Sequence, residues 1–457
     1  MKEVGRCGRR ALAGELWPQT GLAYLAAVAR REGADVRLID AMASCVTVEQ
    51  LLRDTLDFKP DLVIANTTTP TFVNDAGVID LLKQKHDALY AFTGAHVSAL
   101  PEESLNNSSA DLIFINEAEE TLKEVIKKWK DFRDIPGLAY REGEKITITS
   151  ACSYIPNLDS LPFPARDLLP NDRYRMPFFE NEPYATVIPT RGCPWSCTFC
   201  RAGRVWGKKV RSRSPENVLE EIRRIKNDLG IRNVVFMTDS LTLDKKWAHS
   251  FLDAILESDV KFRWICNSRV DAVTPDLLRK MKKTGCILVS YGVESGNQEI
   301  LDTSRKKITL EDSRKAIKWT RQAGIISMAY FILGLPGETK QTIEESIRFA
   351  REIKPDYVNF HIATPFPGTE LYDIAKEKGW LVSDDWSEYE EEGSAVLRTK
   401  DLTADELMEA QRRAMRKFYL RPGRILREVA SLRSWGQLKS RFKAGWNLLT
   451  TLGKNNK

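Results

Sequence analysis

Along the first third of the chain, short apolar runs alternate with longer stretches whose apolar residues recur every three or four positions. The runs at 34–39, 61–66, 89–93 and 110–115 read as strands, and helical spacing over 22–30, 48–57, 74–85 and 119–130 sets helices between them. Strands and helices in that alternation predict a doubly wound parallel sheet of Rossmann-like α/β type. Ligands bind such sheets beyond the carboxyl ends of the strands, here at Asp40, 66–69, 94–96 and 116–117. Apolar segments at 135–140 and 146–148 flank a polar turn and read as a short hairpin. The proline-rich stretch 156–183 then reads as an extended connector.

A second alternation starts at Ala185. Strand-like runs at 185–190, 233–238, 262–267, 287–292, 328–333 and 357–363 are separated by helical patterns at 215–229, 245–256, 275–283, 310–323, 339–353 and 369–378. Six strand–helix repeats predict a partial (β/α)6 barrel with its active site at the carboxyl ends of the strands. The chain therefore divides into a Rossmann-like domain at 1–135, a hairpin and connector at 136–183, a barrel at 184–380 and a helical extension at 381–457. The opening stretch, 1–14, is polar and basic and carries no strand pattern.

Composition narrows the class. The 457 residues are 42% apolar and 29% charged, as in an ordinary globular protein. No apolar run reaches the roughly 18 residues that span a bilayer. The amino terminus lacks an apolar signal core, so the expected location is the cytoplasm. The net charge of +6 is uneven: residues 401–457 hold 13 Lys and Arg against 5 Asp and Glu, and the rest of the chain is slightly acidic. In that tail Leu426, Val429, Leu432, Trp435, Leu438, Phe442, Trp446 and Leu449 form an amphipathic basic helix. It either packs its apolar stripe on the barrel or lies on a membrane surface. Nucleic acid is not expected, because the aromatics follow one stripe.

The chemistry centres on 189–200, where Cys193, Cys197 and Cys200 stand at C-x3-C-x2-C spacing in a loop opened by Gly192 and Pro194. Three thiolates can hold three irons of a [4Fe-4S] cluster and leave the fourth open to a small molecule. Structural zinc would ask for a fourth Cys or His nearby, and the next histidine is His249. Three neighbouring cysteines cannot all pair as disulfides, and buried inert thiols are the plain alternative. Cys7, Cys45, Cys152, Cys266 and Cys286 are scattered and read as core or inert thiols. The basic stretch 201–213, with Trp206 inside it, reads as a solvated loop or as one that meets an anionic substrate or an electron donor.

The cysteine stretch, with Phe199 before its last cysteine, closely resembles the cluster motif of the radical S-adenosylmethionine (SAM) enzymes. The resemblance implies that the cluster chelates SAM and cleaves it to methionine and a 5′-deoxyadenosyl radical. It implies SAM contacts from Phe199, and from Asp239 and Ser240 toward the methionine amino group. Arg269 would grip the methionine carboxylate in bidentate fashion, Glu294 and Ser295 the ribose hydroxyls, and Gly334 the adenine. Helix caps and tight turns are the alternative at each of these positions. His361 reads as a core or second-layer histidine.

The first domain resembles the cobalamin-binding domain that precedes the barrel in one large radical SAM subfamily. The residues that carry the likeness are 21–27, the 67–71 loop, 94–96 and 117–120. It implies corrinoid contacts from Thr67, Thr68, Gly94, His96 and Glu117. Two motifs differ: Asn116-Glu117-Ala118-Glu119 stands for the subfamily's Gly-Glu-Gly-Glu, and no Asp-x-His-x-x-Gly surrounds His96. The activity implied is cobalamin-dependent C-methylation of an unactivated carbon. A radical SAM cyclase or oxidative rearrangement enzyme is the first alternative, and a non-turning iron–sulfur or corrinoid carrier the second. The implied partners are a small-molecule substrate, hydrophobic or lipid-like, and a reductant such as flavodoxin or ferredoxin. No catalytic side chain beyond the cofactor contacts is assigned.

Overall fold

A computed structural model describes residues 16–390 and 394–421. The opening stretch and the basic tail helix lie outside them. The first sheet has five strands in the order Leu62–Asn66, Leu89–Thr93, Leu112–Phe114, Leu138–Glu142, Lys145–Ile148. The first three are parallel and the last two are added antiparallel. Side chains alternate between faces as strand geometry requires. Ala91, Leu112 and Phe114 pack with Leu25, Leu122 and Val125 of helices Thr20–Arg31 and Glu119–Lys127. Tyr90, Phe92 and Ile113 pack with Phe72, Ala76 and Ile79 of helix Phe72–Lys83 on the other face.

Two expectations are corrected here. Residues 34–39 run extended but pair with nothing among the described residues. The hairpin assigned to the connector is instead part of the first sheet, with Leu138–Glu142 paired to Leu112–Phe114.

The second sheet has six parallel strands in sequential order: Ala185–Val187, Asn233–Phe236, Arg263–Ser268, Cys286–Glu294, Ile326–Leu333, Tyr357–Ile362. Helices between them are stopped and started by ordinary signals. Pro215–Leu229 begins at Ser214, whose hydroxyl accepts from the Asn217 N–H, and ends at left-handed Gly230. Inside the barrel Val235, Ile265 and Leu288, near the strand starts, meet Tyr174 and Phe179 of the connector and Tyr184 just after it. That plug fills the amino-terminal end and leaves the carboxyl end hollow.

The barrel stays open between its first and last strands. Helix Ala404–Tyr419 covers the last strand, and the Tyr419 hydroxyl donates to Val358 C=O (2.7 Å) and accepts from Val358 N–H (3.0 Å). One side chain thus satisfies edge groups that would otherwise invite another strand.

Candidate active site

The carboxyl ends of both sheets face one open cavity. Cys193, Cys197 and Cys200 line it from the barrel side. Their loop is held at several points: Cys193 N–H donates to Gly207 C=O (3.0 Å), Thr198 N–H to Ser304 C=O (3.1 Å), and Leu371 N–H to Thr198 C=O (2.9 Å). Gly192 has φ +101°, and a Cβ there would lie 2.2 Å from the Lys209 carbonyl oxygen. Only glycine allows that approach.

All three thiols are free, and among the described residues no three His, Cys, Asp or Glu converge on one ion. Each of three thiols on one wall can bind a separate iron of a cluster. Burial pushes the Cys193 thiol up to about 11 and raises Cys197 as well. Iron, not the protein field, would therefore hold them as thiolates, with release of protons.

Phe199, Asp239, Ser240, Arg269 and Glu294 all line the same cavity. Ser240 accepts from Arg269 N–H (3.1 Å), which ties the second strand's loop to the third's. Arg269 is already engaged. Its Nε and Nη2 donate to both oxygens of Asp271 (2.9 Å each), and Nη2 also donates to the carbonyls of Lys306 and Lys307 (3.0 and 3.2 Å). The guanidinium also lies 4.3 Å over the Trp195 ring.

Ser295 and Gly334 do not line the cavity. Ser295 is buried against Ser346 (3.2 Å) and accepts from Asn297 N–H (3.2 Å), a turn device. Gly334 has φ +93° and backs onto Leu407, 3.0 Å from where its Cβ would stand.

Lys306 is the cation that sequence reasoning missed. It lines the cavity, and its Nζ lies 2.7 Å from Glu294 Oε1. Burial opposes its charge, but Glu294 and the neighbouring Cys197 raise its pKa and keep it protonated. Glu294 is held at φ +66°, which strains a non-glycine residue, and its buried Oε2 has no hydrogen-bond partner. The sequence Arg305-Lys306-Lys307 carries no signal that separates its middle cation from the two exposed ones.

The opposite wall comes from the first domain: Gly21, Thr68, Thr93, Gly94, Asn116 and Glu117 line it. Gly94, at φ +131°, brings two loops together so closely that a Cβ would lie 2.0 Å from the Thr67 carbonyl oxygen. Small polar groups at strand ends make a shallow cradle suited to the amide rim of a corrin.

Thr67 and His96 do not line the cavity. Thr67 is buried and donates to Asp75 (2.7 Å). His96 is fully buried between Phe72 (4.7 Å) and Trp386 (5.2 Å), with Nδ1 3.3 Å from the Thr69 hydroxyl. Burial, with Arg201 nearby, lowers its pKa to about 3, so the ring is neutral, and it sits in the core behind the cavity wall.

Glu117 reaches the cavity but is bonded across the domain boundary. Arg211 Nη1 and Nη2 donate to its two oxygens (2.9 and 2.6 Å), and Ile155 N–H adds a third bond (2.9 Å). Arg191, two residues before Cys193, donates to Glu119 (2.6 Å) and lies 3.5 Å from Glu117. Beside them Glu221 pairs with Arg166 and Arg213, and Tyr24, pushed up to about 12 chiefly by burial, stays neutral. The turn that departs from the subfamily pattern is thus an ionic lock between the two halves.

A fold of six parallel strands with three cysteines after the first, joined to a doubly wound domain over a common cavity, defines a radical SAM architecture with a corrinoid-type partner domain. Residues 187–350 match the radical SAM superfamily and residues 7–126 the B12 binding domain. An uncharacterized methyltransferase of Pyrococcus horikoshii is 32% identical over 423 residues, 92% of this chain and 91% of that protein. The anaerobic magnesium-protoporphyrin IX monomethyl ester cyclase of Cereibacter sphaeroides is 30% identical over 420 residues, 89% of this chain and 67% of that protein. The radical SAM methyltransferase TsrM of Kitasatospora setae, solved with cobalamin and a [4Fe-4S] cluster, shares the fold at TM-score 0.72 and 16% identity, covering 95% of this chain and 96% of TsrM.

The chain belongs to the radical SAM enzymes that carry an N-terminal B12-binding domain. Its cofactors are the [4Fe-4S] cluster, SAM and cobalamin, and as a radical SAM enzyme it takes a reductant. Among the described residues no helix is long and apolar enough to cross a membrane.

Proposed function

We propose that this protein is a cobalamin-dependent radical SAM C-methyltransferase acting on a largely apolar small molecule. The observation that carries the reading is the single cavity, lined at once by the three cysteines and by the Thr68, Gly94 and Asn116 loops of the first domain. Bound there, the reduced cluster would supply the electron that splits SAM into methionine and a 5′-deoxyadenosyl radical, and methylcobalamin would supply the methyl group.

The chain's own residues bind, orient and exclude water. Cys193, Cys197 and Cys200 hold the cluster. Lys306 offers the methionine carboxylate its cation, since Arg269 is already engaged with Asp271. Asp239 and Ser240 accept from the methionine amino group, and the open Oε2 of Glu294 accepts from a ribose hydroxyl. Thr68, Gly94 and Asn116 cradle the corrin edge. Between the two walls Ile188, Trp206, Met237, Ile332 and Phe366 line the gap, which supports an apolar substrate.

Anaerobic reconstitution with hydroxocobalamin, followed by turnover with methyl-labelled SAM, tests this reading. Near one corrinoid per chain and label in a carbon-bound product are expected. Intact iron and SAM cleavage with no retained corrinoid would sink it. The cyclase relative favours one second reading, oxidative ring closure, which predicts SAM cleavage and a product two hydrogens lighter that carries no label.

A further inference from the structure

We infer that Asn267 and Ser290 form a seat at the bottom of the cavity for one end of the substrate, an uncharged group of the carboxamide or lactam class that both donates and accepts hydrogen bonds. The inference rests on the methyltransferase reading above and adds a polar end to its apolar substrate.

Side chains on two neighbouring barrel strands alternate between the helix layer and the hollow. On Arg263–Ser268, Trp264 and Cys266 pack outward, while Ile265 meets the plug and Asn267 lines the cavity. On Cys286–Glu294, Val289 and Tyr291 pack outward, while Leu288 meets the plug and Ser290 lines the cavity. The register sets Ile265 beside Leu288 and Asn267 beside Ser290. The two polar side chains are therefore neighbours on the inner face, one step above the apolar plug.

Ser290 is 7% exposed and Asn267 half-buried, and among the described residues neither side chain has a hydrogen-bond partner. Polar side chains nearby are matched: Tyr291 with Thr320 (2.8 Å), Ser268 with Thr242 (2.5 Å), and Ser240 with Arg269 N–H (3.1 Å). Buried polar groups that the fold leaves unmatched mark where water or a ligand completes the set. Water can hold such a seat when no ligand is bound. A substrate that displaces it must bring polar atoms, because an apolar end would leave both side chains unpaired.

The chemistry of the pair narrows the class. Asn267 offers a donor and an acceptor side by side, and the Ser290 hydroxyl can act as either. A carboxamide or lactam presents the complementary set: its carbonyl accepts while its N–H donates. A charged end would arrive without a counter-ion, since the cations at the ends of these two strands are already paired. Arg269 is held by Asp271 (2.9 Å) and Lys306 by Glu294 (2.7 Å).

Three probes of one shape test the seat: hexanamide, hexanoate and pentyl methyl ketone. Their binding is read by saturation-transfer NMR on protein loaded with cluster and SAM, with and without cobalamin. No reductant is added, so that no turnover intervenes. Wild type is compared with Ser290→Ala and with Asn267→Leu/Ser290→Ala. In wild type hexanamide should bind at least about tenfold tighter than either analogue. The double variant should lose that preference and Ser290→Ala part of it, with SAM affinity and corrinoid retention held within about twofold. Ser290→Ala, a single small change, carries the comparison if the double variant is unstable.

Equal affinity for the three probes, or no binding of any, would overturn the inference. So would an undiminished preference for hexanamide in the variants. A parallel loss of SAM affinity or of corrinoid would overturn it too, and would assign the pair to SAM or to a corrin amide. Wild type that retains no corrinoid, or that moves no methyl label once reductant is added, would instead count against the methyltransferase reading, because the probe preference is read without turnover.

Discussion

Glu117 of the first domain and Arg211 of the barrel hairpin are joined by two parallel hydrogen bonds, 2.9 and 2.6 Å, and both side chains are at least 95% buried. Such a pair has lost its water on both sides, so its value appears when one partner is removed. Arg211→Met should cost about 3–5 kcal/mol of stability, because Glu117 is left buried without its main partner. Glu117→Gln combined with Arg211→Met should cost clearly less than the sum of the single changes. Denaturant unfolding of the four proteins measures the coupling; additive costs would mean that the pair is not a unit.

Gly94 and Gly33 make a matched comparison. Both have positive φ, but a Cβ on Gly94 meets the Thr67 carbonyl at 2.0 Å while one on Gly33 meets nothing within 4 Å. Gly33→Ala should cost only the backbone strain, about 1–2 kcal/mol. Gly94→Ala should part the two loops and reduce corrinoid retention at least severalfold, with iron content unchanged. Absorbance after gel filtration, with an iron assay, separates the two sites.

Lys306→Met removes the cavity's cation beside Cys197 and leaves Glu294 buried without its partner. SAM affinity in cluster-loaded protein should fall about 10- to 100-fold, the range for a charged hydrogen bond lost in a closed site. Adding Glu294→Gln should restore stability without restoring SAM affinity. Equilibrium dialysis and thermal unfolding read the two effects separately. A Lys306→Met protein with normal SAM affinity would return the carboxylate to another residue.

Much of this architecture was legible in the sequence. The six barrel strands were found in place because parallel strands buried on both faces read as unbroken apolar runs, as at 287–292 within Cys286–Glu294. The cysteine loop was found because its spacing is local. Residues 34–39 have strand chemistry, but pairing depends on a neighbour that composition cannot supply. Arg269, Ser295 and His96 sit on the right loops, yet partners distant in the chain decide where their side chains go: Ser346 for Ser295, and Phe72 and Trp386 for His96. The partner of Glu117 was not legible, because Arg211 lies 94 residues away in sequence. Lys306 lay hidden in a run of three cations that looks like plain surface charge.

Glu338 gives the barrel a pH dependence that can be isolated. It is fully buried behind the fifth strand, and its Oε2 accepts from Gly334 N–H (2.5 Å) and Leu335 N–H (3.1 Å). Burial pushes its pKa up to about 8, only partly offset by those two donors. The folded pKa is above the unfolded one, so the protonated group's contribution is complete below the unfolded value near 4.5 and is lost as pH rises through about 8. Within that window the slope from this one group approaches about 1.4 kcal/mol per pH unit. Glu338→Gln keeps an acceptor for both N–H groups and cannot ionise. The variant should match wild type near pH 5 and be the more stable protein at pH 9. Urea unfolding of the two proteins at both pH values cancels the titration of every other group. Equal differences at pH 5 and pH 9 would show that Glu338 is ionised, or not titrating, in the folded chain.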